Sequence, residues 1–347
     1  MMVHKIYIAD ILSNCIDGKS TGHYFSVARN YQEMFGERVV VAGGPIYNTG
    51  FKRASLLQLP YNAGGGGIKG RLKTFANARK LFKEAEGHTL VLQQCTTITT
   101  FLCIALFYRC KSKLFLIQYS REGFRSKLGK LLFKLARHKI NGIICPNEMV
   151  GKAFMGIPYC IVPDYIYTSN TNTKFKLYSD RYYDFCIVGR LAPEKGVVEV
   201  AKILANTKYK LLIAGKAQTE SLAMEISDVC ASASNIELHL GYVSDEDYYS
   251  YLHNSKYAIL NYTGEYSERS SGVVFDTLFN GVPVIARRCR SLQFIEDENM
   301  GFVYDDIEKF EFKLTAEIER YDNYINNILC FCKTLQRNIN KLQKFIS

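Results

Sequence analysis

Two stretches in the second half of the chain concentrate side chains that can handle a negatively charged group. The first, VGRLAPEKG over residues 188–196, places Arg190 and Lys195 five residues apart, flanked by Gly189 and Gly196. A planar guanidinium and a mobile ammonium on one loop can converge on a single diphosphate and stabilise the charge that grows as a bond to it breaks. The second, SERSSGVVFDTLFNGVPVIA over residues 267–286, holds Glu268, then Ser270, Ser271 and Gly272, then Asp276. The pattern predicts a helix opening at Ser270–Gly272 with its first amides unpaired, a suitable cradle for phosphate, and Asp276 about one turn further in. Glu265 precedes Glu268 by three residues and competes with it for any carboxylate role.

Other motifs read differently. DGKSTG over residues 17–22 resembles the end of a phosphate-binding P-loop, but the glycine that motif requires at position 13 is Ser13. What remains is a small-residue loop, with Gly18, Gly22 and His23, able to approach a ligand or simply to turn. Asp245-Glu246-Asp247 has the D-x-D spacing of some metal sites, yet Ser244 followed by Asp247 before an apolar run reads as a capping box. The six histidines are dispersed and no C-x-x-C pair occurs among the eleven cysteines, so no metal and no cofactor is expected. Reduced thiols of this kind imply a cytoplasmic protein.

Short apolar or β-branched runs alternate with amphipathic stretches throughout, as parallel βα units require. Strands are expected at 5–11, 38–42, 89–93, 113–118 and 142–145, and again at 185–189, 209–214, 236–240, 257–261 and 284–286. This α/β pattern divides into an N-terminal Rossmann-like domain (1–165), a second one (166–320) entered through a polar linker, and a C-terminal helix (321–347) returning to the first. The N-terminal run is broken by Lys5 and Asp10 and lacks the form of a signal peptide. The net charge of +11 is uneven: residues 1–165 hold 23 Lys and Arg against 9 Asp and Glu, and the rest 21 against 24. The basic half therefore faces something anionic.

The segment 185–306, through the G-R-L-x-x-x-K-G element and the Glu-x7-Glu-like pair Glu268 and Asp276 ahead of GVPVI, resembles the retaining glycosyltransferases of family 4. That resemblance implies a GT-B fold, two tandem Rossmann-like domains with a cleft between them. It also implies a nucleotide-diphosphate sugar as donor, a hydroxyl acceptor and a metal-independent transfer. By the same resemblance Glu268, Arg190 and Lys195 are catalytic, and Asp276 binds the donor ribose. Ser270, Ser271, Gly272, Val273, Gly189, Gly215 and Val243 complete the donor pocket. Asp276 stands where the family carries Glu, and the family's N-terminal-domain histidine is absent from LFLIQYSRE, leaving the Gly18, Gly22 and His23 loop on the acceptor side. A nucleotide-sugar epimerase would use the same carboxylates. A nucleic-acid-binding protein would rest on charge alone, without a recognised motif, so no nucleic acid is expected.

The basic segment 121–139 adds an expectation of its own. On a helix, Phe124, Leu128, Leu131, Leu132 and Leu135 share one face, with Lys127, Lys130, Lys134 and Arg137 on its flanks. That face packs into the core or meets a membrane. The second case makes the protein peripheral on the inner face of the cytoplasmic membrane, where an anionic surface presents a lipid-linked glycan acceptor.

Overall fold

The apolar runs IYIA, VVVAG, TLVL and KLFLI are buried at nearly every residue, which is what strands covered by helices on both faces require. The structure, a computed structural model, describes residues 4–16, 19–20, 24–64, 67–93, 97–119, 126–162, 175–268 and 271–347. The chain divides into two units, one of Met1–Thr168 with Gln336–Ser347 and one of Ser169–Leu335.

The first unit contains β1 (Ile6–Ala9), β2 (Cys15–Ile16), β3 (Lys19–Ser20), α1 (Tyr24–Phe35), β4 (Val39–Gly43), β5 (Leu56–Gln58) and α2 (Gly67–Glu84). It continues with β6 (Thr89–Leu92), α3 (Ile98–Phe107), β7 (Lys113–Ile117), α4 (Lys127–Ala136), β8 (Gly142–Cys145), α5 (Glu148–Lys152) and β9 (Tyr159–Ile161). The main sheet is parallel in the order β5-β4-β1-β6-β7-β8-β9, and β2 pairs with β3 as a small antiparallel ribbon. Side-chain caps start three of the helices: Thr97, Ser126 and Asn147 accept from the amides of Thr100, Gly129 and Val150. Helices α2 to α5 pack on one face of the sheet, and α1 packs on the other.

The second unit runs β10 (Tyr183–Val188), α6 (Val197–Leu204), β11 (Leu211–Gly215), α7 (Glu220–Ala231), β12 (Ile236–Leu240), α8 (Asp245–His253) and β13 (Ser255–Leu260). It then adds α9 (Gly272–Phe279), β14 (Val284–Arg287), α10 (Gln293–Asp297), β15 (Gly301–Tyr304) and the long α11 (Ile318–Ile346). Its sheet is parallel in the order β12-β11-β10-β13-β14-β15. Counted from its first strand this is the 3-2-1-4-5-6 order of a doubly wound sheet, whose direction of winding reverses between β10 and β13.

Several elements differ from the sequence expectation. Strands β5, β9 and β15 and the β2–β3 ribbon were not anticipated. All are four residues or shorter, and β5, β9 and β15 lie at sheet edges, where at most half of the residues of each are buried and the apolar run is too short to register. The C-terminal helix begins at Ile318 and belongs to the second unit as far as Leu335; only its end lies in the first unit. The helix expected over 121–139 is found as α4, but its inner face is Gly129, Leu132, Phe133 and Ala136. Leu128, Leu131 and Leu135 remain 53%, 55% and 52% exposed, and Phe124 lies outside the described residues. Small Gly129 and Ala136 let the helix seat on that side, so the five hydrophobic residues do not share one buried face.

The end of α11 is part of the first unit's core. Ile339, Leu342 and Ile346 are buried beside α1, and Gln343 Nε2 donates to the Met34 carbonyl at 2.9 Å. Leu342→Ala is expected to cost about 2–5 kcal/mol, the usual price of a buried Leu-to-Ala cavity, read by urea unfolding followed with circular dichroism. A change below about 0.5 kcal/mol would show that this end of the helix is not part of the core.

Candidate functional site

The site is assembled where β10, β11 and β13 end. Gly215 closes β11 with φ of 155°, and a Cβ there would overlap the carbonyl oxygen of Gly189, so only glycine lets the two strand ends approach this closely. Gly189 itself takes φ of 93° and turns the chain out of the sheet. The loop that follows is tied down at both ends. Leu191 is buried and bridges to Ala217, and Pro193–Lys195 forms a single 3-10 turn closed by Lys195 N donating to Ala192 O at 2.9 Å. Gly196 follows in the left-handed region at φ 60°, where a side chain would strike the amide of Asn261.

This turn buries Lys195, which is only 6% exposed, and places its ammonium 5.4 Å from the ring centre of Tyr266 and 5.8 Å from that of Tyr262. Both rings come from the loop after β13. The two loops are also joined by backbone, since Thr263 donates through N and Oγ1 to the Glu194 carbonyl at 2.7 and 3.2 Å. The adjacent rings attract the cation through their quadrupoles. Arg190, on the same loop, is exposed.

Tyr262 also reaches the next element. Its hydroxyl lies 2.8 Å from Ser271 Oγ, so Ser271 occupies the N-cap position of α9 without capping it by its side chain. The first amides of α9, at Gly272 and Val273, have no acceptor within the helix, and the positive end of its dipole lies with them. One turn further in, Asp276 is buried and its Oδ2 accepts from the Tyr248 hydroxyl at 3.0 Å. Burial and then the Asp276 carboxylate hold the Tyr248 phenol well above its usual pKa, so it remains a donor. A Cβ on Gly189 would stand 3.2 Å from Val273 and 3.9 Å from Tyr248, and Val243 borders the same small apolar cluster.

Of the residues singled out in sequence, Gly189, Gly215, Val243, Val273 and Asp276 therefore converge on one flank, and Lys195, Ser271 and Gly272 on the other, at the point where the winding reverses. Open parallel sheets bind ligands in the crevice outside the carboxyl ends of their strands at such a switch point. Glu268 is exposed on the turn that follows the 3-10 segment Gly264–Ser267. Ser270, Gly18, Gly22 and His23 lie outside the described residues. Ser244 caps α8 by accepting from Asp247 N at 3.1 Å and donating to Asp247 Oδ2 at 2.7 Å. Among the described residues no group of three His, Cys, Asp or Glu is placed to hold a metal ion.

Sequence reasoning missed Tyr248, Tyr262 and Tyr266, because tyrosines are common in this chain and carry no spacing signature. It also missed a polar row at the carboxyl ends of β1, β6 and β7, formed by Asp10, Gln93 and Gln118, all buried. Burial raises the Asp10 carboxyl above its usual pKa, against the lowering effect of bonds from Ser13 N, Tyr47 OH and Leu12 N. Neither amide atom of Gln118 has a hydrogen-bond partner. The available signal was a single polar residue closing each apolar run, as in IADIL, LVLQ and LFLIQ. Ser13, which broke the P-loop pattern, takes φ of 45° and is fixed by donating to Asp10 O and accepting from Gly44 N, both at 2.7 Å.

Residues 183–319 match the family model described as glycosyl transferases group 1. No curated relative matches the chain. Among solved structures, the sucrose-phosphate synthase of Thermosynechococcus elongatus is 11% identical with a TM-score of 0.69, over 99% of this chain and 98% of that one. HepE of Anabaena, solved with UDP-glucose, is 12% identical with a TM-score of 0.65, over 98% of this chain and 99% of that one. A UDP-forming trehalose-phosphate synthase of Burkholderia xenovorans is 9% identical with a TM-score of 0.68, over 99% of both chains. At these identities the likeness establishes fold. The two doubly wound units are those of the GT-B architecture, and residues 183–319 of the second, which contain the site just described, are similar to the glycosyl transferases group 1 family.

Proposed function

We propose that the protein transfers a sugar from a nucleotide-diphosphate donor to an acceptor hydroxyl with retention of anomeric configuration. The observation that carries this reading is the buried Lys195, whose ammonium lies against a pair of tyrosine rings at the switch point of the second unit and is joined through Tyr262 to the start of α9. A cation and a helix N-terminus sharing one small site suit a diphosphate. HepE, with a similar fold, was solved with UDP-glucose, which supports a nucleotide sugar as the donor.

In this reading the bond from the sugar's anomeric carbon to the diphosphate breaks as the acceptor oxygen forms a bond to that carbon on the same face. The acceptor's proton passes to a departing phosphate oxygen. Lys195 and Arg190 stabilise the leaving diphosphate, with charge that matters most in the transition state. Glu268 lies by the donor sugar, Asp276 binds the ribose, and no metal takes part. The acceptor, a lipid-linked or polysaccharide-precursor glycan, is taken by the basic first unit at the inner face of the cytoplasmic membrane. Among the described residues no helix is long and apolar enough to cross a membrane.

Lys195→Ala and Arg190→Ala are each expected to lower kcat at least about tenfold, since each removes a charge-assisted contact of roughly 1.5–3 kcal/mol. Lys195→Met, which keeps the bulk beside the tyrosine pair, should lose as much while its melting temperature stays near wild type. Rates near wild type in both alanine variants would remove this loop from the diphosphate. Glu268→Gln should abolish transfer, while Asp276→Glu, which restores the residue usual in the family, should retain it; full activity in Glu268→Gln would move the role to Glu265. Transfer should also persist in saturating EDTA, whereas loss restored by Mn²⁺ or Mg²⁺ would contradict a metal-free reaction.

A further inference from the structure

The layer formed by α2, α3 and α4 has an outer surface that the fold does not use. The three helices lie side by side, with Phe75 of α2 against Phe107 of α3 at 5.9 Å and Phe101 of α3 against Phe133 of α4 at 5.4 Å. Each turns aliphatic side chains outward: Ile68 (77% exposed) and Leu72 (60%) on α2, Leu106 (62%) on α3, and Leu128, Leu131 and Leu135 on α4. The leucines of α4 recur at helical spacing, so they form a ridge rather than scattered exposures. Lys127, Lys130 and Lys134 stand exposed beside that ridge, and Lys69, Arg71 and Lys73 stand exposed beside Ile68 and Leu72.

The basic excess of the first half is concentrated in the stretch of sequence that carries these helices. Residues 67–139 contain 16 Lys and Arg against 3 Asp and Glu, out of 23 against 9 in all of residues 1–165. Nearly the whole basic excess of the first half thus lies in the stretch that exposes the leucines.

We propose that this surface is a bilayer-docking face, in which the leucine ridge of α4, with Leu106, Ile68 and Leu72, enters the headgroup and acyl boundary of an anionic membrane while the flanking lysines and arginines meet lipid phosphates. It deepens the membrane part of the function proposed above and does not depend on the donor chemistry. Two chemistries must be satisfied together, an apolar medium for aliphatic side chains and a dense negative charge around them. An anionic bilayer surface offers both over a wide area. Nucleic acid offers phosphates but leaves the aliphatic side chains in water. A second copy of the chain would bring the same positive charge against itself.

The test is flotation with vesicles of phosphatidylcholine alone and of phosphatidylcholine with phosphatidylglycerol, at low and high salt, on the full chain. Wild type is expected to bind the anionic vesicles and to leave the neutral ones. Leu128→Ser/Leu131→Ser/Leu135→Ser should lose at least about tenfold in binding, because the apolar contribution is gone. Lys127→Glu/Lys130→Glu/Lys134→Glu should lose at least as much, most clearly at low salt. All six positions are exposed, so the melting temperature of both variants should stay at that of wild type. Their stabilisation by added UDP, a separate readout of the second unit, should be unchanged. Equal or absent binding to the two vesicle types by wild type would overturn the proposal. Undiminished binding by the serine variant would overturn it too, as would a dimer in gel filtration that the serine variant converts to monomer. Absence of a UDP effect with vesicle binding intact would instead count against the donor reading.

Discussion

Burying the ammonium of Lys195 is the constraint from which the second unit's site follows. Taking a lysine charge out of water costs several kcal/mol unless its surroundings are arranged in advance. Here the arrangement requires two loops from different strands to meet. The loop after β10 must turn sharply enough to point Lys195 inward, which needs Gly196 in the left-handed region. The loop after β13 must present two aromatic faces, and it is held in place by Thr263 donating to the Glu194 carbonyl. Because Tyr262 is also bonded to Ser271, the position of the cation and the start of α9 are set by one side chain.

The sheet makes this meeting possible. In a doubly wound sheet the strands on either side of the reversal send their connections to opposite faces, which opens a crevice at their carboxyl ends. In the second unit those strands are β10 and β13, and the glycine pair at Gly189 and Gly215 keeps the neighbouring ends close without side chains in the way. The first unit repeats the logic at β1 and β6, where Asp10 and Gln93 close adjacent strands. Two sheets of one design thus carry different chemistries at their switch points, a cationic one in the second unit and a carboxylate-and-amide one in the first.

Much of this was legible in the sequence because the chemistry and the turns share residues. VGRLAPEKG announced a strand end, a glycine turn and two cations at once, and Ser244 with Asp247 announced a cap that the structure contains. Less legible were features that arise only when distant segments pack. The contact of the cation with the tyrosine pair depends on Tyr262 and Tyr266 meeting a lysine about seventy residues earlier, and nothing local marks them. The face of α4 was misjudged for a related reason. Hydrophobic periodicity weighs leucines and overlooks glycine and alanine, yet Gly129 and Ala136 decide which side of the helix can approach its neighbours.

The most direct test of the account is hydrogen–deuterium exchange of the full chain with and without a nucleoside diphosphate such as UDP. The amides of residues 189–196, 262–268 and 271–273 gather at one place in the second unit, so bound diphosphate should slow exchange in these segments together. Exchange at the exposed faces of α2 and α4 should be unchanged. Protection confined to the first unit, or none in either loop at saturating nucleotide, would contradict the claim that Lys195 and the start of α9 form a diphosphate site.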